Sequence, residues 1–273
     1  MSVSEKTLKS ANRVRQDKGF RRKVFTSRFF QRLGGGFLER IMISFISGIQ
    51  LRSLSALKSR NDIEVIRRAK KMRHSLLLGS ECFSILSMAR AYAKSMSGAI
   101  AEVGTFQGCS ARIICEVKDE AKCYLCDTFE GLPDLHQYDR AIHKKGQYAA
   151  SLESVRDVVK DYPNVHFVKG FFPDAAQGRI PEDERFSFVH LDVDLYEGTL
   201  KSLEYFYPRL LPGAAVVVHD YSVLTGVEQA VHEFCDAHRD IIFFELATTQ
   251  AVLIKPGIVP SGSESDEKIL QDD

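Results

Sequence analysis

The sequence has no disulfide framework, no membrane-length apolar run and no dinucleotide-binding glycine signature. Each absence removes a class of protein. The six cysteines, at positions 82, 109, 115, 123, 126 and 235, show no paired spacing. Cys123 and Cys126 fall inside an expected strand, where neighbours alternate faces, so buried thiols are expected rather than a redox or zinc pair. A reducing, cytoplasmic setting follows as an expectation. The apolar stretch from Ile41 to Ile49 is about half the length a bilayer crossing needs, and no signal-peptide pattern opens the chain. A soluble protein is expected, with peripheral membrane contact left open.

A formal net charge of +1 conceals a divided chain. Residues 1–75 carry 19 Lys and Arg against 5 Asp and Glu, and the remainder carries 18 against 31. Within the basic part, Phe37, Ile41, Phe45 and Ile46, then Ile63, Ile66 and Met72, recur at helical intervals. They predict two or three amphipathic helices broken at Gly34-Gly-Gly36. No aromatic residues interleave the charges as a base-stacking platform requires, so no nucleic acid partner is expected. An oligomerisation arm or lid, and hence a homo-oligomer, is favoured. Three parts result: a basic helical extension over 1–75, an α/β domain over 76–256, and an acidic tail over 257–273. The first thirty residues and the tail are expected to be disordered.

Between those ends strands alternate with helices. Strands are expected at 99–103, 123–126, 165–168, 186–191 and 215–218. Helices are expected through Ile113 and Val117, and at 152–159, 197–210 and 227–238. Parallel neighbours need crossover helices, so the alternation predicts a doubly wound parallel sheet. The last two apolar runs, 241–246 and 251–254, are separated by so few residues that they must pair antiparallel.

Two carboxylates end the buried run Phe188-Val-His-Leu-Asp-Val-Asp194, which has no packing reason to stop in charge. A second run, Ala214-Ala-Val-Val-Val218, ends in His219-Asp220-Tyr221, so two strands deliver acidic groups to one sheet edge. Strand alternation puts His190, Asp192 and Asp194 on one face. His190 is expected in a packing role, and Asp194 either in the site or capping the next helix. The segment Glu102-Val-Gly-Thr-Phe-Gln-Gly108-Cys-Ser110 follows a strand and opens a helix, with glycines where a ligand approaches closely. It lacks the second glycine that a pyrophosphate needs, and Glu102 would repel phosphates, which disfavours a nicotinamide oxidoreductase. An acidic residue there suits a cationic amino group such as that of S-adenosylmethionine. Asp127, ending the second strand, stands where a carboxylate accepts ribose hydroxyls.

These segments, with Asp127-Thr-Phe-Glu-Gly-Leu-Pro133, Val168-Lys-Gly-Phe-Phe-Pro-Asp174, Leu191-Asp-Val-Asp-Leu-Tyr-Glu197 and Tyr207-Pro-Arg-Leu-Leu-Pro-Gly213, resemble the macrocin O-methyltransferase (TylF-like) family. The resemblance spans roughly residues 75–240. It implies a Rossmann-like class I methyltransferase fold, S-adenosylmethionine and Mg²⁺ as cofactors, and a small-molecule hydroxyl acceptor such as a sugar. The residues it assigns to the cofactor are Glu102, Gly104, Thr105, Phe106, Gly108, Ser110, Asp127, Thr128, Gly170, Phe171 and Phe172. Asp127 would anchor the ribose, and the last three would lie near the adenine. Asp192 would touch both metal and acceptor as general base, Asp220 would ligate the metal, and Glu130 would face the acceptor.

The family pattern has Asp-Asp-Tyr where this chain has His219-Asp220-Tyr221. With His219 in the donor set, Mn²⁺ or Fe²⁺ becomes an alternative to Mg²⁺, because an imidazole among carboxylates suits borderline ions. Without it, the site lacks a ligand. The expected chemistry is in-line methyl transfer to a hydroxyl oxygen. The loop 134–147, with His136, His143, Lys144 and Lys145, is either a cover over the acceptor or an ordinary exposed loop. The alternative to an enzyme is a cofactor-binding protein of the same fold that docks a partner or membrane through its basic region.

Overall fold

The computed structural model of the chain describes residues 37–139 and 143–257. The expected glycine break at 34–36, the first thirty residues, loop positions 140–142 and the tail from 258 lie outside the described residues.

Three helices lead into the sheet: α1 (Phe37–Leu57), α2 (Arg60–Met72) and α3 (Gly79–Ser95). Strand β1 (Ala99–Val103), helix α4 (Cys109–Val117) and strand β2 (Cys123–Asp127) follow, then α5 (Leu152–Val159) and β3 (Val165–Lys169). The chain then returns through β4 (Phe186–Leu191), α6 (Tyr196–Phe206), β5 (Leu210–Val218) and α7 (Thr225–Ala237). It closes with β6 (Ile242–Glu245) and β7 (Ala251–Ile254).

The sheet order is β3-β2-β1-β4-β5-β7-β6. The first five strands are parallel, and β7 runs antiparallel between β5 and β6, as the short final connection predicts. Every residue of β1 and β4 is buried, as a parallel sheet covered on both faces requires. Ile100, Phe188, Ala215 and Val217 pack with helices α2 to α5 on one face. Ala101, Val189, Leu191 and Val216 pack with α6 and α7 on the other.

One boundary differs from expectation. The helix predicted over 197–210 stops at Phe206, where Tyr207–Arg209 form a single 3-10 turn with a proline in its first turn. Pro208 has no amide to continue the ladder, so the chain turns and enters β5 at Leu210 rather than 215. All six cysteines are free thiols, five of them buried, including Cys123 and Cys126.

The basic extension does not behave as one unit. Helix α2 buries Ile63, Val65, Ile66 and Ala69 in the same core as the sheet. Asp62 accepts two hydrogen bonds from Arg90 of α3, at 2.8 and 2.7 Å. Helix α1 inserts Leu51 into the core but exposes Ile41, Met42, Phe45 and Ile49, so its apolar positions form no core-facing stripe. Among the described residues no helix is long and apolar enough to cross a membrane. Truncation of Ile66 to Ala is expected to destabilise the chain by about 3 kcal/mol, because the cavity cannot close between α2 and the sheet. Urea denaturation measures this, and a change below about 1 kcal/mol would show that α2 is not part of the core.

Candidate active site

The parallel register places the candidate residues in one row. Val103, Cys126 and Leu191 are register partners across β2, β1 and β4, and Leu191 pairs with Val218 of β5. The ladder runs one residue further at each junction. Gly104 donates to the Cys126 carbonyl, Asp192 to Val103, and His219 to Leu191, at 2.8–2.9 Å. Gly104, Asp127, Asp192 and His219 therefore stand side by side at the carboxyl ends of their strands. The row crosses the point where the chain, having run from β1 to β3, returns beside β1 in β4. This is where open parallel sheets bind ligands.

Asp192, His219 and Asp220 offer ligand atoms that all lie within 4.8 Å of one another. The Nδ1 atom of His219 is 3.1 Å from Asp192 Oδ1 and 3.3 Å from Asp220 Oδ1. Its Nε2 atom faces Glu81 Oε2 at 3.4 Å. The ring is buried, yet neither nitrogen makes an aligned hydrogen bond. A donor set of one buried imidazole and two half-buried carboxylates, with unsatisfied ring nitrogens, fits a divalent cation. Asp220 is held at a positive φ of 55° and Asp194 at 63°, a backbone cost that recurs at functional sites.

The charges in the site are interdependent. Burial opposes the charged imidazole of His219, but Asp192 and Asp220 outweigh it and hold the ring well above its ordinary pKa. Burial likewise raises Asp192, and His219 more than reverses that, so its carboxyl lies below the ordinary value. Asp194 moves the other way. Burial and the adjacent Asp192 and Asp220 push it well above the carboxylate range.

Glu81, near the start of α3, is a site residue that the sequence motifs did not reveal. It is buried, with Oε2 accepting from the Leu78 amide at 2.6 Å and Oε1 from the Thr249 hydroxyl at 2.8 Å. Burial raises its pKa, but His219, the Leu78 amide and Thr249 overcome this and lower it to about 2. The only sequence signal was Glu81 at the third helical position, which reads as a helix-start residue.

The glycine turn is shaped by the same row. At Gly104, with φ +88°, a Cβ would lie 1.8 Å from the Asp192 carbonyl oxygen, so the turn and the end of β4 touch backbone to backbone. Gly108, at φ +84°, is the N-cap of α4 and starts that helix in a left-handed conformation. Asp127 binds the turn from the next strand. Its Oδ2 accepts from the amides of Thr105 and Phe106 at 2.7 and 2.9 Å, and its Oδ1 from Phe129 at 2.7 Å. The Thr128 hydroxyl also stands 3.4 Å from the same Oδ1. Asp127→Ala would release three amides at once, so it is expected to weaken S-adenosylmethionine binding by about tenfold or more and to lower Tm. Fluorescence or calorimetric titration reads the first effect, and unchanged affinity would remove Asp127 from the site.

Other expected contacts fall differently. Glu102 is fully buried, with Oε1 2.9 Å from His190 Nδ1, and burial raises its pKa against the opposing effect of His190. Its second oxygen, Oε2, is buried without a hydrogen-bond partner. His190 is its buried partner, in keeping with a packing role. Thr105 is buried with an unpartnered hydroxyl, and Ser110 is buried in the first turn of α4. The Phe106 ring meets Tyr148 edge-on. The Thr128 hydroxyl donates to the Gly131 carbonyl at 2.7 Å, fixing the turn after β2. Gly170 and Phe171 follow β3, and Lys201 lies over the Phe171 ring. Phe172 is buried, stacked on Phe206 and edge-on to Tyr205, so its ring is committed to the core rather than to an adenine. Glu130 is exposed and pairs with Lys169 at 3.3 Å.

Asp194 does not cap α6, whose N-cap is Leu195 with no side-chain bond. That role falls to Asp139 in the long loop, whose Oδ1 accepts from the Tyr196 amide at 2.8 Å while Oδ2 accepts from His136. The His136 ring stacks on Tyr196 at 4.7 Å, and Tyr138 packs edge-on against the same ring at 4.9 Å. The near end of the loop is thus pinned beside the site, over the turn that follows Asp194. His143 is buried against Tyr148, and Lys145 pairs with Asp134 at the surface.

The model of the macrocin-O-methyltransferase (TylF) family matches residues 78–243, from the helix carrying Glu81 to the final hairpin. The chain belongs to that family. A tetracenomycin-type relative from Streptomyces olivaceus, 8-demethyl-8-(2,3-dimethoxy-alpha-L-rhamnosyl)-tetracenomycin-C 4'-O-methyltransferase, is 32% identical over 158 residues, covering 52% of this chain and 59% of the relative. Mycinamicin III 3''-O-methyltransferase from Micromonospora griseorubida is 29% identical over 163 residues, covering 52% of this chain and 61% of the relative. The chain thus spans less than two thirds of the length of these relatives. Among solved structures, the O-methyltransferase NovP superposes with a TM-score of 0.57 at 22% identity, over 67% of this chain and 82% of that one. Calicheamicin methyltransferase CalS11 gives 0.55 at 18%, over 72% and 93%. This TylF-family chain therefore has the Rossmann-like class I methyltransferase fold that its motifs implied.

Proposed function

We propose that the chain transfers the methyl group of S-adenosylmethionine to a hydroxyl of a sugar or another polyhydroxylated small molecule, with a divalent ion held by Asp192, His219 and Asp220. The observation that carries this reading is the convergence of those three side chains within two residues of the ends of β4 and β5, beside the glycine turn of β1. Family membership supports the reaction class, and the relatives named for 4'-O- and 3''-O-methylation support a hydroxyl acceptor.

S-adenosylmethionine supplies an electrophilic methyl on sulfur, and a divalent ion lowers the pKa of an alcohol that is otherwise a poor nucleophile. The protein's own residues do the rest. Asp192, at the end of β4 and 3.1 Å from His219 Nδ1, is the base that takes the hydroxyl proton. Asp127 fixes the amides of Thr105 and Phe106 and so sets the turn on which the cofactor rests. His136, Tyr138 and Tyr196 form an aromatic wall beside Asp194, suited to the apolar face of a sugar ring.

A second reading draws on His219 itself. A cationic ring between Glu81, Asp192 and Asp220 can neutralise the carboxylates without a metal, as a non-catalytic binding protein would allow. Isotope-labelled S-adenosylmethionine incubated with a panel of deoxysugar glycosides, with and without a chelator, separates the two. Transfer of label to a hydroxyl, quenched by the chelator and restored by Mn²⁺ or Mg²⁺, is the expected result. Cofactor binding with no bound metal and no transfer across the panel would favour the second reading.

A further inference from the structure

We propose that Glu81 is a positioning residue that directs the Nδ1 atom of His219 toward Asp192 and Asp220, so that the site presents an imidazole nitrogen backed by a carboxylate. The inference rests on the metal site of the proposed function, and it concerns a residue outside the sheet-edge motifs.

A neutral imidazole has one donor and one acceptor nitrogen; the one that donates to a carboxylate carries the proton, and the other keeps a lone pair for an ion. Glu81 Oε2 lies 3.4 Å from Nε2, while Nδ1 lies 3.1 and 3.3 Å from Asp192 and Asp220. With an ion present, the proton belongs on Nε2, facing Glu81, and the Nδ1 lone pair faces the two aspartates. Metal-bound histidines are ordinarily oriented by such a carboxylate on the far nitrogen, which fixes both tautomer and ring direction.

Glu81 is itself held from two sides. The Leu78 amide, at the start of α3, bonds Oε2, and the Thr249 hydroxyl, in the turn between β6 and β7, bonds Oε1. The Thr249 carbonyl in turn accepts from the Ser222 amide, two residues after Asp220, at 3.1 Å. The start of α3 and the β6–β7 turn thus hold one carboxylate behind one ring. A fully buried acid that served only to cap α3 would need neither Thr249 nor a histidine beside it. The pair is also the counterpart of the sequence departure at 219. An aspartate there would face Glu81 across a short gap with like charge, whereas the imidazole gives Glu81 a partner.

The test is Mn²⁺ affinity of the full chain, followed by the free-ion electron paramagnetic resonance signal, in wild type, Glu81→Gln, His219→Ala and the double variant. Expected is a loss of 10- to 100-fold in Glu81→Gln, the range seen when partners behind a metal-bound histidine are removed. The double variant should bind no worse than His219→Ala alone, because Glu81 acts only through that ring. The Zn²⁺-loaded chain, labelled with ¹⁵N in the histidine ring, should show the proton on Nε2 in wild type and a mixture of tautomers in Glu81→Gln. If His219→Ala weakens Mn²⁺ binding and Glu81→Gln does not, the inference is overturned while the metal site stands. If wild type binds no Mn²⁺, the metal reading fails first, and this inference with it. Should Glu81→Gln not fold, Thr249→Val removes only the hydroxyl that orients the carboxylate. Unchanged affinity and tautomer in that variant would equally overturn the proposal.

Discussion

Asp192→Ala is expected to reduce methyl transfer by at least about a thousandfold while S-adenosylmethionine affinity changes by no more than a few fold. A positioned base contributes about 10²- to 10⁴-fold, and removing this one also takes a carboxylate from the donor set of the proposed ion. The structural reason for a selective effect is that only the side chain is engaged with His219, whereas the backbone amide of Asp192 holds the β1–β4 junction through Val103. Alanine leaves that bond intact. Single-turnover rates with labelled cofactor, alongside circular dichroism and cofactor titration, check the three parts separately. Asp192→Asn sharpens the test, since it keeps the volume and removes the charge. Turnover near the wild-type rate in either variant would remove Asp192 from the chemistry.

The second large effect is structural. Gly104→Ala would place a methyl group 1.8 Å from the Asp192 carbonyl oxygen, at a φ of +88° that side chains rarely adopt. The contact is backbone, so no rotamer change relieves it. The junction of β1 and β4 must open, and with it the row that brings Asp192 beside the glycine turn. A destabilisation of about 4 kcal/mol or more is expected, among the largest a single substitution produces. For a domain of this size that is a fall in Tm on the order of 10 °C. Cofactor affinity should fall with it even where the variant remains folded. Differential scanning calorimetry reads the first effect, and an unchanged Tm would mean that the turn is not packed against Asp192 as described. By contrast Gly178, also at positive φ, has open space around it, and Gly178→Ala should show only the milder backbone strain.

What could be read from the sequence depended on the physical origin of each feature. Apolar runs of five to six residues separated by helical stretches predicted β1 and β4 closely, because buried parallel strands tolerate little polarity. The start of β5 was missed because Pro208 and Pro212 interrupt the apolar pattern, although the chain is already paired with β4 at Leu210. Asp192, His219 and Asp220 were visible because charge at the end of a buried strand has no packing explanation. Glu81 was not, since its role depends on a contact with Thr249 across 168 residues, and no local pattern carries such a contact. Asp139 was overlooked for a similar reason. It caps a helix whose start lies 57 residues away, whereas the local candidate, Asp194, sits at a positive φ and makes no cap bond. Glu102 was placed correctly on its strand, but its partner there was not foreseen. Its position suggested a ligand contact, and the buried partner that claims it, His190, stands on a different strand.

The basic extension gives a different case. Its periodicity marked helices correctly, but periodicity alone does not say which apolar positions find a partner. Ile63 and Ile66 do, within the domain core, while Ile41 and Phe45 do not among the described residues.

The most direct test of the whole account is calorimetric titration of S-adenosylmethionine into the full, metal-stripped chain, repeated with Mn²⁺ and with Asp127→Ala and Asp220→Ala. The account predicts one cofactor site weakened by Asp127→Ala, and a separate Mn²⁺ site abolished by Asp220→Ala with cofactor binding retained. Absence of cofactor binding in the wild-type chain, or Mn²⁺ binding indifferent to Asp220, would contradict it.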